Sequence, residues 1–208
     1  MSIAESTGTV RPPMQERSRE AWDRILEAAL EILIGEGRAS LTISAVCSRA
    51  KVAPTAIYAR VDGIAGLFWA LYESQMEGVF ATQEALFTQA EALEPGTKER
   101  IDAVVRAVTT TFREHESFLH PIINYSASDP VLQARGAETS FALTTRLCGL
   151  LGTGLADQRA YDTARMIQQE CILRAMYGDT WLSPESESYE DFFARLTRMA
   201  QARFASQA

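Results

Sequence analysis

His115 and His120 stand beside a glutamate in His115-Glu116-Ser117-Phe118-Leu119-His120, which imitates a zinc-hydrolase helix with one residue too many. Two imidazoles on one helix share an ion when four residues separate them, about 400° of rotation, whereas five residues give about 500° and different faces. With no third histidine in the chain, no metal site is expected. Gly149-Leu150-Leu151-Gly152-Thr153-Gly154 is rich in glycine, but no strand precedes it and it closes a helical pattern, so it is not a phosphate loop. No G-x-S-x-G or G-x-x-x-x-G-K-[ST] occurs, and carboxylates such as Glu114 and Glu116, or Glu185 and Glu187, read as solvated charges. The chain is therefore expected to have no catalytic residue and no cofactor, a helical enzyme being the rival from another class.

A different chemistry gathers between residues 17 and 60. Thr42 stands where a helix begins, and its hydroxyl and the free N–H groups there suit a phosphate. Lys51, Pro54, Thr55, Tyr58 and Arg60 follow on or beside a short helix, and Arg60 is the one able to read guanine O6 and N7 with two parallel bonds. Arg17 and Arg19 lie at the start of the preceding long helix, within reach of phosphate or a minor groove. The net charge of −7 argues against a polyanion partner only as a total. Residues 11–70 carry +1 and residues 71–208 carry −7, so the first third is the part that tolerates nucleic acid.

The elements that position these groups are helical throughout. Apolar residues recur at intervals of three and four, and no alternation longer than four residues suggests a strand. A first helix is predicted over 14–36, with Trp22, Ile25, Leu26, Ala29, Ile32 and Leu33 on one stripe. Thr42 caps a short helix over 42–50, and Pro54 opens another that reaches Val61. A long helix starts near residue 64. Further helices are expected over 97–115, 118–126, 130–151, 157–181 and 185–205, with Thr97 and Asp129 as caps. The fold class is all-α with about nine helices. Residues 1–13 read as disordered, 14–62 as a three-helix head, and 63–208 as a second helical domain.

The segment Ala50-Lys51-Val52-Ala53-Pro54-Thr55-Ala56-Ile57-Tyr58-Ala59-Arg60-Val61, followed by Leu67-Phe68, has helix-turn-helix spacing and resembles the TetR family of bacterial transcriptional regulators. That family reads approximately A-G-V-[ST]-x-G-x-[LI]-Y-x-H-F-x-[SNTD]-K-x-x-L-F. Upstream, Ile25-Leu26-Glu27-Ala28-Ala29, Gly37 and Thr42-Ile43 with Val46 and Ala50 fall where the family has its first helix, its glycine and its T-[VI]-x-x-I-A-x-x-A segment. The resemblance is clear over about residues 17–72. It implies a double-stranded DNA operator as partner, with Tyr58 on the DNA backbone. Four residues depart from the pattern: Ile64 replaces a lysine, Lys51 a turn glycine, Ala53 a serine or threonine cap, and Thr55 a small glycine.

The resemblance further implies a ligand-binding and dimerisation domain, in which a small-molecule effector alters the spacing of two DNA-binding heads. Phe112, His115, Phe118, Ile122, Asn124, Tyr125 and Phe141 are the candidate ligand residues, core packing being their alternative role. Helix 157–181 carries two apolar faces and must pack on two partners. Ala164, Ile167 and Cys171, with Phe193, Leu196, Ala200 and Phe204 of the last helix, are the expected homodimer interface, an intrachain core being the alternative.

Three unpaired cysteines suit a reducing compartment, and the opening residues carry no secretory pattern. A soluble, cytoplasmic protein without membrane contact is expected. The alternative to a regulator is a helical ligand- or protein-binding module whose head has lost sequence specificity.

Overall fold

The computed structural model describes residues 16–181 and 183–205, and every regular element among them is helical. In chain order these are α1 (Glu16–Gly35), a 3-10 turn (Arg38–Ser40), α2 (Ile43–Ala50), α3 (Pro54–Tyr58), α4 (Gly63–Glu91), α5 (Lys98–Glu114), α6 (Glu116–Ser126), α7 (Pro130–Leu151), α8 (Gln158–Tyr177) and α9 (Tyr189–Ala205). The stretch 1–13 expected to be disordered lies outside the described residues. Two compact units divide within α4, Met1–Gly78 and Val79–Ala208. No helix among the described residues is long and apolar enough to cross a membrane.

In the first unit the apolar stripe of α1 makes the core: Trp22, Ile25, Ala29, Ile32 and Leu33 are all buried. Both α2 and α3 pack on α1, bringing Val46 and Ile57 out of solvent. Each such aliphatic side chain stabilises the unit by about 1.5–3 kcal/mol relative to exposure. Leu67 and Leu71 of α4 are buried in the same unit.

The second unit is built around α5, whose Ile101, Val104 and Val108 meet Leu147 and Cys148 of α7, the inner face of α8, and Phe192 and Leu196 of α9. Arg100 is buried there without a stranded charge. Its Nε donates to the Leu150 carbonyl at 2.9 Å and its Nη1 to the Leu93 carbonyl at 2.9 Å, satisfying groups left open where α7 and α4 end. Asp157 caps α8 by accepting from the Ala160 N–H at 3.1 Å. That cap comes so close to the end of α7 that a Cβ on Gly152 would collide with the Asp157 carboxylate.

This packing corrects the expected dimer face at five of its seven residues. Ala164, Ile167, Cys171, Leu196 and Ala200 are buried in the chain's own core. The small residues Ala160 and Ala164 let α8 lie close against its neighbours, and α8 packs on α5, α7 and α9 of the same chain. Phe193 and Phe204 lean on that core, with Arg106 at 4.0 Å and Arg159 at 4.9 Å over their rings. The large apolar side chains that α8 and α9 leave exposed are Leu173, Tyr177 and Met199.

Helix ends differ where long-range contacts intervene. α3 stops at Tyr58 instead of Val61, since Arg60 and Val61 turn inward. Gly178, at φ 79°, ends α8 four residues early, and Trp181 returns to stack on Tyr177 with ring centroids 3.9 Å apart.

Candidate nucleic-acid interface and ligand cavity

The helix-turn-helix forms from local chemistry. Thr42 adopts an extended backbone and accepts from the Ala45 N–H at 3.1 Å, closing an open donor of α2. At the other end Lys51 takes φ 54° and ψ 50°, a left-handed conformation that favours glycine, and the Val52 N–H returns to the Cys47 carbonyl at 3.1 Å. Lys51 is the one non-glycine residue among those described with positive φ. Ala53 supplies no side-chain cap to α3, so Pro54 at the first helical position starts it by its fixed φ alone.

Ile57, fully buried, sets the rotation of α3. Lys51, Pro54, Thr55 and Tyr58 are exposed as a result, with Tyr58 at 53%. Thr42 and Arg19 are exposed as well, while Arg17 lies in the first turn of α1. Arg49, which sequence reasoning did not single out, is also on this unit's surface, but Glu36 holds it at 2.6 Å and offsets its charge.

Arg60 is a correction. The expected guanine reader is 5% exposed, and its Nη2 donates to the Ser18 carbonyl at 2.6 Å and the Ser18 hydroxyl at 3.0 Å. Its guanidinium lies 5.1 Å from the centroid of the Trp22 ring. Burial pulls its pKa down, with Asp23 opposing. Arg60 thus ties the residues after α3 to α1 and offers no fork to a base edge. Ser18 and Trp22 share one face of α1, which is the signal that a basic residue after α3 has a partner inside the protein.

In the second unit a cavity of about 430 Å³ lies among α5, α8 and α9. Phe112, Cys171, Ala175, Tyr189 and Phe192 form apolar walls, with Arg113, Arg174, Glu116 and Asp179 as charged groups. Of the seven candidate ligand residues, Phe112 lines it. Phe118 and Ile122 are buried, Phe141 is 60% exposed, and Tyr125 is half-buried. His115 meets the Thr82 hydroxyl at 3.0 Å through Nε2, and the exposed Asn124 meets His120 Nε2 at 3.2 Å. His120 Nδ1 meets the Ala175 carbonyl at 2.6 Å, so the two histidines turn to separate partners. No group that could hold a metal ion occurs among the described residues.

Sequence reasoning missed most of the cavity, including Cys171, which it assigned to the dimer face. Burial and the Glu170 carboxylate push the Cys171 thiol far up, which disfavours its thiolate. Burial also pushes the Tyr189 phenol up, the Thr109 hydroxyl opposing, and the buried phenol oxygen makes no hydrogen bond of normal geometry among the described residues.

A neighbouring cavity of about 470 Å³ shares Arg174, Gly178, Asp179 and Phe192 with the first. Its charges are matched internally. Arg195 donates to both Glu187 oxygens at 2.8 and 3.1 Å and to Glu170 at 2.9 Å, which holds the Glu187 carboxyl below its ordinary pKa. Arg174 donates to the Glu187 carbonyl at 2.9 Å.

No protein-family model and no curated protein matches the sequence. Solved structures do resemble the chain. SCO4454, a TetR-family transcriptional regulator from Streptomyces coelicolor, is 20% identical over 89% of this chain and 88% of its own, with a TM-score of 0.64. A transcriptional regulator of the TetR/AcrR family from Thermobifida fusca is 16% identical, covers 93% of this chain and 100% of its own, and gives a TM-score of 0.63. The multidrug binding protein EbrR, solved with imidazole, is 16% identical over 89% of this chain and 95% of its own, with a TM-score of 0.60. With TM-scores of 0.60–0.64 over most of both chains, these likenesses give the chain the fold of the TetR-family transcriptional regulators.

Proposed function

We propose that the chain is a cytoplasmic, ligand-responsive transcriptional regulator, without catalytic activity, that binds a palindromic operator as a homodimer and represses until a small-molecule effector releases it. One observation carries the reading. A helix-turn-helix whose α2 is closed at both ends, by Thr42 and Lys51, exposes Lys51, Pro54, Thr55 and Tyr58 around a helix anchored by Ile57, within a fold used by such regulators. Thr42 and Tyr58 hold phosphate, Arg17 and Arg19 reach the flanking backbone, and Thr55 and Lys51 face the groove. The homodimer uses the exposed apolar residues Leu173, Tyr177 and Met199. The effector occupies the α5–α8–α9 cavity.

The test is duplex binding by fluorescence anisotropy over a range of salt, for the wild type and Tyr58→Phe. A regulator loses affinity steeply as salt rises, and Tyr58→Phe weakens binding evenly across duplex sequences. By linkage, an effector must also bind less tightly, by one common factor, when operator is present. The inward turn of Arg60 favours a second reading, a binding module whose head lacks sequence preference. Weak attraction to every duplex alike, with a shallow salt slope, supports that module instead.

A further inference from the structure

We propose that the α5–α8–α9 cavity selects a small aromatic or arylalkyl carboxylic acid, held at its carboxylate by Arg113 and the Tyr189 hydroxyl. The inference rests on reading the second unit as the effector-sensing part, and adds the chemical class of the effector.

About 430 Å³ falls within the range of small-molecule sites, and Phe112, Tyr189 and Phe192 provide the aromatic surface that favours a flat apolar body. Polarity then depends on which charged groups still have donors to give. Arg174 is engaged by Glu187 through its carbonyl and carboxylate, and Asp179 accepts from the Ser186 hydroxyl. Thr109 spends its proton on the Val105 and Arg106 carbonyls.

Two donors remain. The Arg113 guanidinium carbon lies over the Tyr189 ring, 4.3 Å from its centroid, and the side chain has no carboxylate or carbonyl partner among the described residues. The phenol oxygen of the same tyrosine is buried without a hydrogen bond of normal geometry. A carboxylate takes a charge-assisted bond from the guanidinium, and a small turn of the Tyr189 ring that opens its enclosed hydroxyl to the cavity lets the same carboxylate meet a buried group that is costly to leave unmet. Glu116 is the opposing charge on this wall, exposed and without a contact that holds it, whereas Arg113 is fixed by the ring. An anionic head is therefore favoured over a cationic one.

The experiment is isothermal calorimetry on the full chain without DNA, using benzoate, phenylacetate and indole-3-acetate beside their amides and benzylamine. The expected result is that at least one acid binds, and binds about tenfold or more tighter than its amide and than benzylamine. Arg113→Met should erase the preference for acid over amide, and Tyr189→Phe should weaken the acid several-fold with the amide little changed. Arg113 is exposed, so its variant should remain folded, and circular dichroism checks this. Equal binding of acid and amide, tighter binding of benzylamine, undiminished acid binding by Arg113→Met, or no acid bound at about 1 mM, weaker than the affinity of a useful effector, each overturns the inference. Duplex binding is read separately: an acid that binds a chain lacking duplex preference upholds the ligand class while removing the regulator, and the converse removes only the ligand class.

Discussion

Arg60→Met separates a structural role from a base-reading one. The methionine keeps most of the apolar stem and removes the guanidinium that bridges Ser18 and Trp22. Hydrogen bonds from a charged donor contribute about 1.5–3 kcal/mol, and the ring contact adds about 0.5–1 kcal/mol. Loss of both, partly offset because no charge is left buried, destabilises the head by about 2–3 kcal/mol. Urea unfolding of the full chain, followed by circular dichroism and tryptophan fluorescence, should show a lower midpoint for the transition that includes the first unit. Duplex binding should weaken evenly, with the preferred sequence unchanged. Stability within about 0.5 kcal/mol of wild type, together with lost preference at one base pair, would refute the inward role and restore Arg60 as a base reader.

Three further outcomes follow from the same geometry. Lys51→Gly relieves a left-handed residue at the end of α2 and should stabilise the chain by about 1 kcal/mol in urea unfolding, while reducing the salt slope of duplex binding by about one unit if Lys51 meets a phosphate. Glu187 has a folded pKa below its unfolded value, so its bonds to Arg195 stabilise the fold fully above the ordinary glutamate range, and that stabilisation is lost as pH falls from there through the lower folded pKa. Thermal melts of Glu187→Gln should therefore lie below wild type at neutral pH and converge with it only at pH below the ordinary glutamate range. Leu173→Glu, on an exposed position, should leave the melting temperature nearly unchanged and convert a dimer to monomer in sedimentation velocity, whereas Leu196→Ala should destabilise the core by about 2–5 kcal/mol.

What was legible in the sequence was set by neighbours in the chain. Thr42, Thr97 and Asp129 act within three residues of themselves, and each caps the helix expected of it. The helix-turn-helix could be read for the same reason. Arg60 could not, because Ser18 lies 42 residues away and only the packing of α3 on α1 brings them together. The α5–α8–α9 cavity was hidden likewise, its walls coming from three distant segments, so of the proposed ligand residues Phe112 alone lines it. On α8 the periodicity showed two apolar faces without saying which one meets its own chain. The small Ala160 and Ala164 marked the inner face, and their size was the overlooked signal.

Selection of the folded chain against a random duplex library at about 150 mM salt, where nonspecific attraction is already screened, tests the account most directly. A sequence-specific dimeric regulator predicts enrichment of a palindrome with half-sites about one helical turn apart or a multiple of it. No enrichment by a folded dimer, with and without the carboxylic acids proposed for its cavity, would contradict that function.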